Sequence, residues 1–270
     1  MPSQAEKIAT FRALHEGPLF VIANAWDAGT ALMLGGMGFP AIATSSGAAA
    51  GTLGRRDGQV SRDEAIAHAA TIAAATDLPV SADLEHGFAH DPEGVAETLR
   101  AAAAAGLAGC TIEDATGDPA RPLYEFGHAV ARIEAAAAAA RPASLVLTAR
   151  AEGFLRGNTD LDEAIRRLRA YEAAGADVLM APGITDPAQI RAVCAALARP
   201  FNFMAGIPGR SPALPVLAEC GVRRVSLATS LWRAAMSGLA AAAAEVLQHG
   251  TMGYVDTALP TGEITRYFPR

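Results

Sequence analysis

Two acidic clusters each close an apolar run. Asp83-Leu84-Glu85-His86-Gly87 follows Leu78-Pro79-Val80-Ser81-Ala82, and Glu113-Asp114 follows Gly109-Cys110-Thr111-Ile112. Both runs have strand length. Neighbouring strands delivering Asp83, Glu85 and Glu113 from the same end make a three-carboxylate pocket. Such a pocket repels itself unless a cation or protons neutralise it. Carboxylates without a His/Cys cluster suit a hard cation, and Mg²⁺ keeps several waters while taking one or two carboxylates plus substrate oxygens. Asp83, Glu85 and Glu113 are therefore the candidate ligands of Mg²⁺, with Mn²⁺ as its substitute.

Further reactive types follow other runs. Arg150 can grip a substrate carboxylate as a planar fork; the alternative is a structural pair with Glu152. Ser46 and the amides of Gly47 and Ala48 can cradle an anionic group, since successive N–H groups in a glycine turn bind anions. Asp57 sits in the polar loop Gly54-Arg55-Arg56-Asp57-Gly58, which reads either as a catalytic loop or as a solvated turn. Asn24, Trp26 and Asp27 follow the first run, and Trp26 is a candidate substrate contact. The implied substrate is a small dianionic carboxylate chelated to the metal. Asp114 taken alone reads as a salt-bridge or capping residue. Cys110, inside an apolar run, reads as core.

These groups need a scaffold that aims them at one place. Eight β-rich runs, at 19–23, 41–45, 80–83, 109–113, 145–149, 177–181, 201–205 and 223–228, alternate with helix-like segments at 29–36, 62–75, 92–105, 126–140, 161–174, 187–197 and 212–219. Ser61 with Arg62-Asp63-Glu64 reads as a capping box, and Asp91-Pro92 as a helix start with proline in its first position. Alternation of this kind argues for a parallel sheet. Eight units fit a (β/α)8 TIM barrel, whose reactive groups sit on the loops after the strands. A doubly wound sheet is disfavoured, because the first run leads into Asn24-Ala25-Trp26-Asp27 and not into a glycine-rich phosphate loop. Residues 1–270 are expected to form one barrel domain. Residues 230–270, opening with a helix at 230–247, form a C-terminal helical extension.

Composition narrows the class. The 270 residues are 51% hydrophobic and 19% charged, enough for one large core. A net charge of −6 without a basic run argues against nucleic acid. No long uninterrupted apolar stretch suggests a membrane span, and the polar start does not read as a secretory signal. Three scattered cysteines without a CxxC motif suit a reducing cytoplasm.

The order and spacing of these motifs resemble a family. Asp83-x-Glu85-x-Gly87-Phe88, Gly109-x-x-Ile112-Glu113-Asp114 and Ala149-Arg150-x-Glu152 are similar to the isocitrate lyase / phosphoenolpyruvate mutase superfamily. Thr44-Ser45-Ser46-Gly47, Leu53-Gly54-Arg55-Arg56-Asp57-Gly58 and Gly250-Thr251-x-Gly253-x-x-Asp256 extend the likeness over nearly the whole chain. The resemblance implies a Mg²⁺-dependent barrel acting on 2-oxo acids through enolate-like intermediates. Asp83 would lie closest to the metal, and Glu85 and Glu113 would hold metal-bound water. Ser46, Gly47 and Ala48 would cradle the substrate anion, with Asp57 on a loop beside it and Arg150 as its arginine. It also implies a homotetramer that exchanges C-terminal helices. One departure stands out. Lyases of this kind carry a Lys-Cys-Gly gating loop soon after Ile-Glu-Asp, and Ala115-Thr116-Gly117-Asp118-Pro119-Ala120-Arg121-Pro122-Leu123-Tyr124 has neither Lys nor Cys. That weighs against cysteine-assisted isocitrate or methylisocitrate cleavage and against phosphonopyruvate chemistry. It leaves decarboxylation of oxaloacetate, a carbon–carbon lyase reaction, as the expected activity. Tyr124 and water are the candidate proton donors. The runner-up is phosphonopyruvate mutase or hydrolase chemistry, and a third reading is a 2-oxo acid-binding barrel with little turnover.

Overall fold

Each apolar run becomes a strand whose parallel neighbour is the next strand in the chain. The strands are β1 (Phe20–Asn24), β2 (Ile42–Ala43), β3 (Val80–Asp83), β4 (Gly109–Glu113), β5 (Val146–Arg150), β6 (Val178–Met180), β7 (Phe201–Met204) and β8 (Arg224–Ser226). β8 pairs with β1, so the sheet closes into an eight-stranded barrel. The computed structural model describes residues 2–269. Met1 and Arg270, the ends of the expected domain, lie outside the described residues.

The helices between strands are α2 (Ala28–Gly36), α4 (Arg62–Ala75), α5 (Pro92–Ala104), α6 (Phe126–Ala140), α7 (Leu161–Ala173), α8 (Pro187–Ala196) and α9 (Leu214–Glu219), preceded by α1 (Gln4–Glu16) and interrupted after β2 by the short α3 (Ser46–Thr52). The expected caps form. Ser61 and Glu64 close a capping box on α4, and Asp91 accepts from the Gly94 amide ahead of Pro92. These caps satisfy amides that the first helical turn leaves without partners.

Two helices were not expected, α1 and α3. α1 reads as polar, yet it buries Ile8 and Phe11 at the N-terminal end of the barrel beside Phe20, Ile22, Val146 and Val178. A side chain at Gly109 would stand 2.8 Å from Phe11 Cε1 and 2.8 Å from the Val146 carbonyl oxygen, so glycine there lets Phe11 in. Above Phe11, Arg224 is 2% exposed. It donates to Asn202 Oδ1 (2.7 Å) and Thr148 Oγ1 (2.9 Å), and its Nη1 lies 3.2 Å from His15 Nε2. This floor closes the barrel below, and the cavity lies toward the C-terminal ends of the strands.

After β8 come α10 (Ser230–His249), a 3₁₀ turn (Gly253–Asp256) and α11 (Thr261–Thr265). α10 has no buried residue, and its Leu239 and Leu247 are 63% and 86% exposed. No helix among the described residues is long and apolar enough to cross a membrane.

Candidate active site

Parallel pairing of β3, β4 and β5 places Asp83, Glu113 and Arg150 at the same end of adjacent strands, in the registers Asp83 to Thr111 and Glu113 to Arg150. They line a cavity of about 700 Å³ together with Ser46, Gly47, Asp57, Glu85, His86 and Glu152. The sequence-derived acids therefore converge as expected.

Asp83 is held from every side. Its Oδ1 accepts from Arg150 Nη1 (3.0 Å), Thr111 Oγ1 (3.2 Å) and the Glu85 amide (3.3 Å). Its Oδ2 accepts from the Ser46 amide (3.2 Å), and its own amide donates to Thr44 Oγ1 (2.9 Å). Burial pushes its carboxyl up, but Arg150 and the two amides outweigh burial and keep it below the usual aspartate value. Glu85 differs. Burial first, then the charges of Asp83 and Asp57, push its carboxyl up to about 7. Burial also drives Glu113 well above the carboxylate range, against the pull of Arg150 and with Glu152 and Asp83 adding repulsion. His86 is pushed down to about 4 by burial and by Arg132, so its ring is neutral near pH 7.

The backbone pays attention to Glu85 as well. It adopts φ 49°, followed by Gly87 at φ 78° and Phe88 at φ 55°. Left-handed residues in such a run are costly and persist where the surroundings enforce them. Here the Gly87 amide donates to the Leu84 carbonyl (2.8 Å) and the Glu113 amide to the Glu85 carbonyl (2.9 Å). Arg132 ties the far side of the turn to the carbonyls of His86, Ala89 and His90 (2.8 Å to the last).

Arg150 is not a free fork. Besides Asp83, its Nη2 lies 3.0 Å from Glu113 Oε2 and 2.7 Å from Glu152 Oε1, and its Nε donates to the same Glu152 oxygen at 3.0 Å. The structural pairing with Glu152 is thus present, together with two further carboxylates. Arg150 serves as the counter-charge of the acid cluster. Asp114 is structural as well: it accepts from the Glu152 amide (2.8 Å), Tyr171 OH (2.7 Å) and Arg167 Nη1 (3.1 Å).

Some expected contacts are not among the cavity-lining residues. Trp26 is not among the cavity-lining residues. Its carbonyl accepts from His68 Nε2 (2.8 Å) and its amide donates to Thr30 Oγ1 (3.3 Å), which draws it into the start of α2. Ala48 does not line the cavity either; it is 2% exposed inside α3. Of the three cradle residues, Ser46 spends its amide on Asp83, and Gly47 remains at the cavity wall. A side chain at Gly47 would stand 3.1 Å from Thr229 Cγ2 and 3.4 Å from the Asp57 carboxyl, so glycine lets those two approach. Tyr124 is 8% exposed, within 2.6 Å of His90 Nδ1 and stacked under Arg132, away from the cavity.

The segment replacing the gating loop folds on itself. Ala115 and Leu123 form an antiparallel bridge, the Thr116 amide donates to the Pro122 carbonyl (3.1 Å), and Asp118 Oδ1 accepts from the Ala120 amide (2.9 Å). Only Gly117 of this hairpin reaches the cavity wall.

Two site residues escaped the sequence reading. Arg224 forms the floor, hidden because it sits inside a strand run. Arg156 lines the cavity from the 3₁₀ turn Gly153–Leu155, with 43% of its side chain exposed. Its signal was a cation a few residues beyond a strand end already carrying Arg150 and Glu152.

The donor set fits a divalent cation bound through water. Five carboxylates (Asp57, Asp83, Glu85, Glu113, Glu152) and three guanidiniums (Arg150, Arg156, Arg224) line the cavity. With every carboxyl ionised, two negative charges would be in excess; burial first, and then carboxylate repulsion, raises Glu85 and Glu113 against that state. Among the described residues, no three acidic, His or Cys side chains form a direct cage. One or two carboxylates with waters completing the shell is the mode Mg²⁺ favours.

Known proteins share this architecture. A crystal structure assigned as a lyase/mutase from Burkholderia cenocepacia J2315 is 47% identical, with a TM-score of 0.96 over 99% of this chain and 97% of that one. Oxaloacetate acetylhydrolase in complex with the product oxalate is 26% identical, with a TM-score of 0.86 over 98% and 93%. An oxaloacetate decarboxylase of Bradyrhizobium sp. (strain BTAi1) is 36% identical over 55% of this chain and 52% of its own length. The family described as phosphoenolpyruvate phosphomutase matches residues 11–247. With its closed barrel and its strand-end acids in the expected order, the chain belongs to the phosphoenolpyruvate phosphomutase family, within the phosphoenolpyruvate mutase/isocitrate lyase superfamily.

Proposed function

We propose that the protein is a Mg²⁺-dependent carbon–carbon lyase that decarboxylates oxaloacetate or a closely related 2-oxo dicarboxylate, Mn²⁺ substituting for Mg²⁺. The observation that carries this reading is the surplus of cavity carboxylates gathered on one guanidinium, Arg150. Likeness to an oxaloacetate decarboxylase and to oxaloacetate acetylhydrolase supports the same substrate class.

Asp83, with Glu85 and Glu113 through water, would hold the cation, which supplies Lewis-acid polarisation of a 2-oxo group. Arg150 would add a fixed positive charge near the oxygen on which enolate charge develops. Gly47 and Ser46 bound the anionic end of the substrate. Asp57, beside Gly47 at the cavity wall, would carry a proton. Decarboxylation breaks the C3–C4 bond, moves its electron pair into the C2–C3 bond of the enolate with charge on the 2-oxo oxygen, releases CO₂ and then requires one proton at C3. No acid is needed on the departing carbon. That suits a hairpin without cysteine, and with Tyr124 turned away the proton comes from water or Asp57. The cytoplasm suits its free cysteines, and a homotetramer suits the exposed face of α10.

The family match supports phosphonopyruvate chemistry as a second reading. Purified protein assayed against oxaloacetate, isocitrate, methylisocitrate and phosphonopyruvate, with Mg²⁺ and with EDTA, separates the two. Mg²⁺-dependent release of CO₂ and pyruvate from oxaloacetate is expected. Turnover of phosphonopyruvate alone would transfer the assignment to P–C chemistry. No turnover of any of them would leave a binding barrel.

A further inference from the structure

The cavity has three guanidiniums in its lining, and they are unequally available. Arg150 has Nε, Nη1 and Nη2 all engaged with Asp83, Glu113 and Glu152, and its side chain is 12% exposed. Arg224 is buried in the floor among neutral partners. Arg156 alone of the three is both exposed and loosely held. Its Nη2 stands 3.7 Å from Glu113 Oε1 and 3.8 Å from Glu152 Oε2, beyond hydrogen-bonding length, and no hydrogen bond engages its guanidinium among the described residues. Its backbone, by contrast, is fixed: the Arg156 amide donates to the carbonyls of Gly153 (2.9 Å) and Glu152 (3.2 Å).

The same cavity is also lined by the apolar side chains of Leu155, Met180, Met204 and Ile207. The acid-rich wall with Asp83 and Glu85 belongs to the preceding strands. Arg156 therefore stands at the edge of the acid cluster, beside Glu113 and Glu152, as the cavity guanidinium left for a ligand anion. A monocarboxylate held at the cation leaves it without a partner.

We infer that Arg156 is the specificity-determining residue of this cavity, binding the distal carboxylate of a 2-oxo or 2-hydroxy dicarboxylate whose carbon chain lies against Leu155, Met180 and Met204. This rests on the lyase reading for the reaction but not for the binding. Arg156 forms a bidentate pair that a lysine copies only in charge. In decarboxylation the gripped carboxylate loses its charge as CO₂ departs. The ion pair is then no stronger in the transition state than in the bound substrate, so it lowers KM without raising kcat.

Calorimetric titration in Mg²⁺ buffer with malate (each enantiomer) and lactate tests this, since the two ligands differ by the distal carboxylate. The wild type should bind the favoured malate about tenfold or more tightly than lactate. Arg156→Gln should erase most of that gap while leaving lactate affinity unchanged, and Arg156→Lys should restore part of it, as loss of a charge-assisted pair predicts. On oxaloacetate, Arg156→Gln should raise KM about tenfold with kcat within about twofold. A wild type that does not prefer malate, or a preference that survives Arg156→Gln, overturns the inference. Preference for malate without oxaloacetate turnover overturns the lyase reading and leaves Arg156 in its role.

Discussion

Glu152 Oε1 accepts from both Nε and Nη2 of Arg150, at 3.0 and 2.7 Å, and the Glu152 side chain is 1% exposed. This side-on pair leaves Nη1 for Asp83 and lets Nη2 reach Glu113 as well. Glu152 is itself held by its amide on Asp114, which is anchored to Tyr171 and Arg167. The chain of contacts runs from α7 to the centre of the cavity.

Glu152→Gln should therefore act on positioning. Its amide keeps the volume but presents one acceptor and one donor, so an N–H would face Arg150 if the side chain turned. Loss of a residue that orients a catalytic group typically costs 10- to 100-fold, and kcat/KM for oxaloacetate should fall by about that factor. Thermal unfolding should stay close to wild type, because removing one carboxylate also relieves repulsion. An unchanged kcat/KM would show that Asp83 and Glu113 suffice to aim Arg150.

The metal hypothesis makes the sharpest loss. Asp83→Ala should abolish turnover, and exhaustive chelation of the wild type should do the same until Mg²⁺ or Mn²⁺ is restored. Arg150→Lys should also fail, since an ammonium cannot reach three carboxylates in one plane. Full activity after chelation would sink the metal role.

Much of this architecture was legible because strand runs, caps and strand-end acids are local signals. The runs at 80–83 and 109–113 coincide with β3 and β4, and the segments at 62–75 and 126–140 with α4 and α6. What escaped depends on tertiary context. α1 carries its apolar residues among charges, and only the barrel floor makes sense of Phe11. Trp26 looked like a ligand contact by its place after β1, yet its backbone is committed to Thr30 and His68. Arg150 read as a substrate fork because its partners Asp83 and Glu113 lie on two other strands. The chance of pairing with Glu152 was visible only because those two residues are neighbours in sequence.

Thiol chemistry should leave the enzyme working. None of the three cysteines lines the cavity. Cys110 is fully buried with its thiol pushed far up by burial, and burial pushes Cys194 up to about 12. Thiols held protonated react slowly. Alkylation with iodoacetamide under native conditions should leave activity unchanged. Substrate-protected loss of activity on labelling one cysteine would expose a misplaced acid/base.

His15 should leave a signature in the pH dependence of stability. Burial, with Arg224 and Arg12 adding repulsion, pushes its folded-state value down to about 3, against an ordinary value of 6.5. Above about pH 6.5 the ring is neutral in both states. As pH falls below that, the unfolded chain takes the proton and the folded chain does not until about pH 3. Stability is therefore lost with falling pH across this window, by up to about 1.4 kcal/mol per pH unit from this group. His15→Gln keeps an acceptor for Arg224 and removes the titration. Urea unfolding at pH 7 and pH 5 should show a smaller loss for the variant, whatever its stability at pH 7. Equal losses would mean that His15 is not neutral in the folded protein.

The C-terminal segment should hold copies of the chain together. α10 exposes Met236, Leu239, Val246 and Leu247, and beyond it Met252, Val255 and Leu259 are exposed as well. So many exposed large apolar side chains on one segment mark an interaction surface. If these side chains pack on a partner barrel, the interface would bury roughly 2,000 Å² or more, as obligate assemblies do. Sedimentation of the full-length protein should give an oligomer, with a tetramer expected from the resemblance. Truncation after Ala228 should yield aggregated protein, because it removes the helix that would cover the partner. Leu239→Glu with Leu247→Glu should shift the equilibrium toward smaller species without unfolding the barrel. A well-folded full-length monomer at micromolar concentration would contradict the whole of this reading.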